Sequence, residues 1–263
     1  DKMSKIETYQ INITTLDRQR TIRVYLPCDY ETSDKKYDVL YMHDGHNLFS
    51  KQASGFGEIW DAHLALDDFF QKHRFGIILV GIDCDHIHRF DEYSPWESNE
   101  VNKVIPYLPL RSYGGEGDLY ISWIVNELIP EINQKYKTTG INYMAGSSMG
   151  GFVSLYAGFK YPNVFKKIGA MSCAFWFKKA EMIKLIKENY NSDLEIYLDV
   201  GTKEGLNNDE ISKLYLNDTV EVANMLKALG SKNLMLKIAE GEIHSEQAWK
   251  RRFPGFLEWL LIR

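Results

Sequence analysis

Apolar and polar residues alternate through "TIRVYLP" (21–27), the period-two pattern of a strand buried on one face. Denser apolar runs follow at "YDVLYMHDG" (37–45) and "FGIILVGID" (75–83), each ending in glycine or aspartate. "INYMAG" (141–146), "FKKIGAMS" (165–172), "LEIYLDVG" (194–201) and "LMLKIAEG" (234–241) repeat the theme. Runs of this kind are expected of strands covered on both faces in a parallel sheet. Between them the spacing predicts helices over 60–72, 119–136, 150–161, 180–189, 214–229 and 245–261. Pro130 should start, kink or split the helix that contains it.

This alternation of strand and helix from residue 37 onward predicts an α/β fold, a mostly parallel central sheet with helices on both faces. The earlier strands would extend it as an antiparallel N-terminal edge. No repeat or linker cuts the chain, so residues 1–263 are expected to form a single α/β domain. The longest stretch without a pattern is 83–118, and a loop of that length in a compact domain usually carries function or moves.

The chain has 263 residues, of which 44% are hydrophobic, enough for one sizeable core. Its formal net charge is −5 and its basic residues are scattered in pairs, with "KRR" at 250–252 the densest cluster. A nucleic-acid partner needs a concentrated positive field and is not expected. No apolar run reaches the length of a membrane span, so no membrane association is expected either. Cys28, Cys84 and Cys173 are too few and too far apart for a disulfide framework. The first ten residues contain no apolar signal core, and the expectation is a cytoplasmic chain, although a leader already removed would leave no trace.

Candidate chemistry begins at "YMAGSSMGGF" (143–152). Gly146-Ser147-Ser148-Met149-Gly150 fits G-x-S-x-G, with a strand before it and a helix after it, the context that gives the motif meaning. A serine at the apex of such an elbow has unfavourable backbone angles, and small neighbours give it room. The turn would raise Ser148 Oγ above the sheet and leave the Met149 amide at a helix N-terminus, free to stabilise an oxyanion. A plain Gly-Ser helix cap is the alternative, and Ser147 sits off the apex.

A serine needs a base, and the base needs an orienting acid. In a fold with this elbow the order along the chain is Ser, acid, His. Of the seven histidines only His244, in "EGEIHSEQAW", follows Ser148. For the acid, Glu204 lies beyond the strand tip in "YLDVGTKEG", whereas Asp199 lies within the strand; Glu204 is preferred, with Asp199 and Asp209 as alternatives. A second oxyanion donor is expected from the loop "MHDGHNLF" (42–49), as the backbone amide of His46.

Together, "YMHDGHNLF", "GIDCDHIHRFDEYSPW", "LIPEINQKY", "AGSSMGGFVSLYAGFKYP", "YLDVGTKEG" and "GEIHSEQAW" resemble the "putative esterase" family of α/β-hydrolases. That family includes enterochelin esterase-like and feruloyl or acetylxylan esterase-like enzymes, S-formylglutathione hydrolase and the mycolyltransferases. The resemblance runs over roughly residues 5 to 262. It implies Ser148 as nucleophile and His244 as base, and it places the acid at Glu204, where many members carry Asp. His46 stands where related sequences often carry Gln.

The expected activity is that of a serine carboxylic ester hydrolase working through an acyl-enzyme, on a small-molecule feruloyl, acetyl-sugar or siderophore-type ester. An acyltransferase to a sugar or alcohol, or a catalytically silent binding protein, are the alternatives. The 83–118 segment should border the site, with Arg89 and Trp96, and Trp176 after the sixth strand, as candidate substrate contacts. Each of these aromatics would serve equally well in loop packing, and Arg89 and Glu92 could simply pair. His86 and His88, near Asp83 and Asp85, have no clean ligand spacing, and neither metal nor cofactor is expected. The acidic, aromatic-rich surface could carry a homo-oligomer.

Overall fold

A computed structural model describes residues 3–262. Its strands are β1 (Lys5–Ile13), β2 (Arg18–Leu26), β3 (Tyr37–His43), β4 (Ile78–Ile82), β5 (Glu97–Ser98), β6 (Tyr113–Gly114), β7 (Thr138–Ser147), β8 (Phe165–Met171), β9 (Glu195–Lys203) and β10 (Met235–Ile243). The helices are α1 (Ala62–His73), α2 (Arg89–Glu92), α3 (Val101–Val104), α4 (Gly117–Trp123), α5 (Ile129–Lys135), α6 (Met149–Lys160), α7 (Lys179–Glu188), α8 (Asp209–Ala228) and α9 (Glu246–Leu261).

Eight strands form one sheet in the order β1-β2-β4-β3-β7-β8-β9-β10, while β5 and β6 make a small separate hairpin. β1 runs antiparallel to β2, and β2 antiparallel to β4. The pairs β3–β4, β8–β9 and β9–β10 are parallel. The fold is therefore the expected α/β one with an antiparallel N-terminal edge. The burial patterns follow from position in the sheet. β1 alternates between covered and open residues, as an edge strand does, whereas every residue of β4 is buried. Among the described residues no helix is long and apolar enough to cross a membrane.

The chain divides into two compact units. One takes in the chain up to Asp85, Trp123–Met144 and the stretch from Ser245 onward; the other takes in His86–Ser122 and Ala145–His244. In the first, α9 lays Trp249 and Phe253 against Trp60, with ring centroids 5.7 and 5.6 Å away. Arg23 and Asp83 form a two-pronged ion pair at 2.8 and 3.0 Å across the β2–β4 register. Pro130 falls in the first turn of α5, directly after a π-helical turn at Ile124–Leu128. A proline has no N–H to return to the preceding turn, and the wider turn absorbs the mismatch without breaking the helix.

In the second unit α6 is buried from end to end apart from Lys160, so it needs small residues where it meets β8. A Cβ on Gly158 would lie 2.7 Å from Ile168 Cγ1 and 3.1 Å from Leu194 Cδ2. The 86–118 segment, unpatterned in sequence, is fastened from within. Arg111 grips Asp91 through two bonds of 3.0 Å, and its guanidinium lies 3.8 Å from the centre of the Tyr113 ring. Asp91 also accepts the Gly114 amide at 2.9 Å.

Gly158→Ala should lower stability by up to about 2 kcal/mol, because overpacking costs about 1–3 kcal/mol against roughly 1 kcal/mol gained in helix propensity. Chemical denaturation checks the sign; an unchanged or higher midpoint would mean that β8 yields freely.

Candidate active site

The elbow is present at residue 148. Ser148 has φ 57° and ψ −122°, between the end of β7 and the start of α6. A non-glycine residue in such a region costs about 1–3 kcal/mol and persists only where its surroundings fix it. Here the Ser148 amide donates to Met171 O at 2.9 Å, at the end of β8. Its carbonyl accepts from Gly151 and Phe152 at 3.1 Å each and from Ala174 at 3.3 Å. Crossing this tightly leaves no space for a side chain at Gly146, where a Cβ would meet the Gly150 carbonyl carbon at 2.6 Å. Met149 is the first residue of α6, so its amide is one of the N–H groups that lack an acceptor within the helix.

The adjacent strand end repeats the device. Ser172, wholly buried, has φ 45°, and its amide donates to Asp199 O at 2.9 Å on β9. Its hydroxyl donates to Glu204 Oε2 at 2.6 Å, and the Gly201 amide donates to the same oxygen at 2.6 Å. The other carboxylate oxygen, Oε1, lies 2.8 Å from His244 Nδ1. Every oxygen of this fully covered side chain is thus engaged. Burial alone would raise the Glu204 pKa. The bond and charge of His244, the Ser172 hydroxyl and the Gly201 amide outweigh it, and the carboxyl is held below its ordinary value of 4.5.

His244 follows β10 directly, after a register shift between Ala239 and Ile243 that sets the strand's last residues. That shift brings Glu242 so close to Gly201 that a Cβ there would meet the Glu242 carbonyl oxygen at 2.2 Å. The other two acid candidates lie elsewhere. Asp199 is buried in β9 and accepts from the Tyr197 hydroxyl at 2.7 Å; Asp209 is exposed at the start of α8.

The phenol of Tyr215, on the buried face of α8, completes the neighbourhood. Its ring centroid is 5.0 Å from the His244 ring. Burial raises its pKa far above the ordinary phenol value, against the pull of the Trp176 and Ser148 side chains beside its hydroxyl. The His244 ring, bonded to Glu204, thus lies beside this buried phenol. Neither Tyr215 nor Ser172 carries a sequence signal of its own. Tyr215 falls on the covered stripe of an amphipathic helix, and Ser172 is one of many residues that end a strand.

The remaining sequence candidates sit as follows. His46 belongs to the first unit, buried in a short 3-10 turn at Gly45–Asn47, with its ring against Cys84. Arg89 stacks its guanidinium over Tyr93, 5.1 Å from the ring centre. Trp96 packs edge-on to Phe152 and Tyr156 of α6, at 6.0 and 5.9 Å. Phe90 stacks on Phe177 at 6.3 Å, and Phe177 meets Phe152 at 6.0 Å. These rings tie the 86–118 segment to the elbow helix.

A family model described as "Putative esterase" matches residues 13–260. The chain belongs to this esterase family. It is 30% identical over 247 residues, 92% of either chain, to the Bacillus subtilis (strain 168) protein YbbA, itself described only as uncharacterized. Among solved structures it is similar to an IroE-like serine hydrolase from Shewanella oneidensis, with a TM-score of 0.76 at 21% identity, covering 96% of this chain and 80% of that one. It is also similar to the siderophore hydrolase EstA of Aspergillus nidulans, with a TM-score of 0.78 at 18% identity, covering 97% and 95%. At these identities the likeness is one of fold.

A carboxyl whose folded pKa lies below its unfolded one stabilises the fold above the unfolded value, and the stabilisation disappears as pH falls through the folded value. Denaturation midpoints of the wild type should therefore exceed those of Glu204→Gln at neutral pH, and the gap should narrow as pH falls below the ordinary value of 4.5. A gap that does not narrow at all on acidification would mean that the ionised carboxylate is not the source.

Proposed function

We propose that the chain is a serine carboxylic ester hydrolase that works through an acyl-enzyme on Ser148, with His244 as base and Glu204 as the acid that orients it. The observation that carries this reading is the 2.8 Å contact between His244 Nδ1 and Glu204 Oε1, found in the same unit as a serine with positive φ between strand and helix. With Nδ1–H donated to the carboxylate, Nε2 bears the lone pair and is the atom able to take a proton from serine.

In the proposed reaction Ser148 Oγ attacks the ester carbonyl carbon while its proton passes to His244 Nε2. The Met149 amide faces the oxygen that becomes negative. The tetrahedral intermediate collapses as the C–O bond to the alcohol breaks and Nε2 returns the proton to the leaving oxygen. Water then repeats the sequence on the acyl-enzyme: its proton goes to Nε2, its oxygen to the acyl carbon, and Ser148 regains its hydrogen. Glu204 stays ionised throughout and stabilises the imidazolium.

For the substrate we propose a siderophore-type or feruloyl ester. Membership of the esterase family and the fold shared with a siderophore hydrolase support that choice, as does the half-buried Trp176 beside the Ser148 neighbourhood, which can stack on a flat acyl group.

Ser148→Ala and His244→Ala should each lower kcat on p-nitrophenyl acetate by more than about 1,000-fold with melting temperatures retained. Wild-type rates in the serine variant would end the hydrolase reading. Glu204→Gln should lose more rate than Asp209→Asn, and the reverse order would move the acid assignment. In a panel of methyl ferulate, acetylated sugar, tributyrin and a siderophore triester, the aromatic esters should give the highest kcat/KM. Transfer to an added alcohol in preference to water would make the enzyme an acyltransferase.

A further inference from the structure

The reaction described above needs the Glu204 carboxylate to face His244 in one orientation, and a glutamate does not secure that by itself. Its side chain turns about three bonds, and the last of them, to the carboxyl group, has only a broad, two-fold preference. A bond from Oε1 to the imidazole would still let the group swing about that contact. The side chain is wholly covered, so its second oxygen depends on donors supplied by the fold.

Two donors meet at that second oxygen. The Gly201 amide donates to Oε2 at 2.6 Å, but Gly201 lies three residues away in the same turn and moves with it. The Ser172 hydroxyl also donates to Oε2 at 2.6 Å, and it comes from a different strand end, 32 residues away along the chain. Ser172 is itself tightly held. It is wholly buried with φ 45°, and its amide donates to Asp199 O at 2.9 Å and to Asp199 Oδ1 at 3.2 Å. The residue before it, Met171, accepts the Ser148 amide at 2.9 Å. Two consecutive residues thus hold the backbone of the elbow serine and the carboxylate of the acid candidate.

We propose that Ser172 is a positioning residue. Its hydroxyl sets the Glu204 carboxylate in register with the Ser148 elbow, and it acts on His244 only through that carboxylate. This inference rests on the esterase reading of Ser148, His244 and Glu204. Productive geometry tolerates about 0.5 Å and 10–20°, and a donor fixed by the fold keeps the carboxylate within such limits without rearranging as the imidazole gains charge. A hydrogen bond to an ionised partner is worth more than one to a neutral partner, so its loss is large enough to read in a rate.

Ser172→Ala removes the hydroxyl and leaves the Gly201 amide in place. It should lower kcat on p-nitrophenyl acetate by about 10- to 100-fold, with KM changed less than about threefold. In a Glu204→Gln background, where the carboxylate is already gone, the same change should cost less than about threefold, because residues that act as a unit are not additive. Labelling of Ser148 by a fluorophosphonate should slow in the same pattern. If the wild type neither turns over ester nor takes the label at Ser148, the esterase reading fails. If the wild type does both and Ser172→Ala matches it within twofold, the esterase reading stands and the role of Ser172 is overturned. An equal loss in both backgrounds also overturns it, by showing that Ser172 does not act through Glu204. A rise in KM at unchanged kcat overturns it as well, by making the hydroxyl a substrate contact. Should Ser172→Ala not fold, Ser172→Gly, which adopts the positive φ without strain, decides by the same comparison.

Discussion

The backbone at Ser148 is the constraint on which the second unit is built. Its dihedral angles are ones that a serine avoids, at a cost of about 1–3 kcal/mol, and four backbone hydrogen bonds hold it there. Two of the four come from outside the turn's own segments: the amide is fastened to Met171 at the end of the next strand, and the carbonyl accepts from Ala174 just beyond it. Ser172, the residue after Met171, is in turn fastened to Asp199 on the strand beyond. Neighbouring strand ends are thus fastened one to the next, and the second bond arrives at Asp199, five residues before Glu204. Ser148 and the strand end that leads to Glu204 are joined by one run of main-chain bonds.

The carboxylate at the far end of that run illustrates when burial of a charge is tolerable. An isolated buried carboxylate would neutralise itself, because losing its hydration costs several kcal/mol. Glu204 remains ionisable because three donors converge on its two oxygens, two of them neutral and fixed by the fold. The Gly201 amide and the Ser172 hydroxyl hold the side chain in a single orientation, so the imidazole meets an acceptor that is already aimed. In the proposed reaction such pre-arrangement would avoid reorganisation as the imidazole becomes charged.

Much of this was legible in the sequence. The apolar runs that predict strands lie within a few residues of β2, β3, β4, β7, β8, β9 and β10. Strands β3, β4, β8 and β9 are indeed buried along most of their length, whereas β10, expected to be covered on both faces, ends the sheet and is mostly exposed, with only Ala239 buried. Helix α8 begins at Asp209 where periodicity predicts 214, since its first turn is polar and its start is set by the Asn208 side chain accepting the Ile211 amide. The π turn before Pro130 left no pattern, because it is a response to packing. The serine motif and the lone downstream histidine were readable through chain order. Ser172 and Tyr215 were not: a strand-end serine and a helix-face tyrosine acquire meaning only from what the fold puts opposite them. In the 83–118 stretch the fastening comes from Arg111, Asp91 and interlocked rings, contacts between distant residues that no local period encodes.

Those interlocked rings bear on how such a chain can diversify. Phe90 rests on Phe177, Phe177 on Phe152, and Trp96 also on Phe152, which lies one helical turn beyond the serine. Loop exchange is the usual route by which an α/β scaffold acquires new selectivity, and it works when the exchanged piece is mechanically separate from the machinery. Here it is not. A recombined or lengthened segment that dropped Phe90 or Trp96 would withdraw support from the helix seating the elbow, so inheritance of this segment is coupled to inheritance of the helix, and the two are expected to travel through evolution as one module.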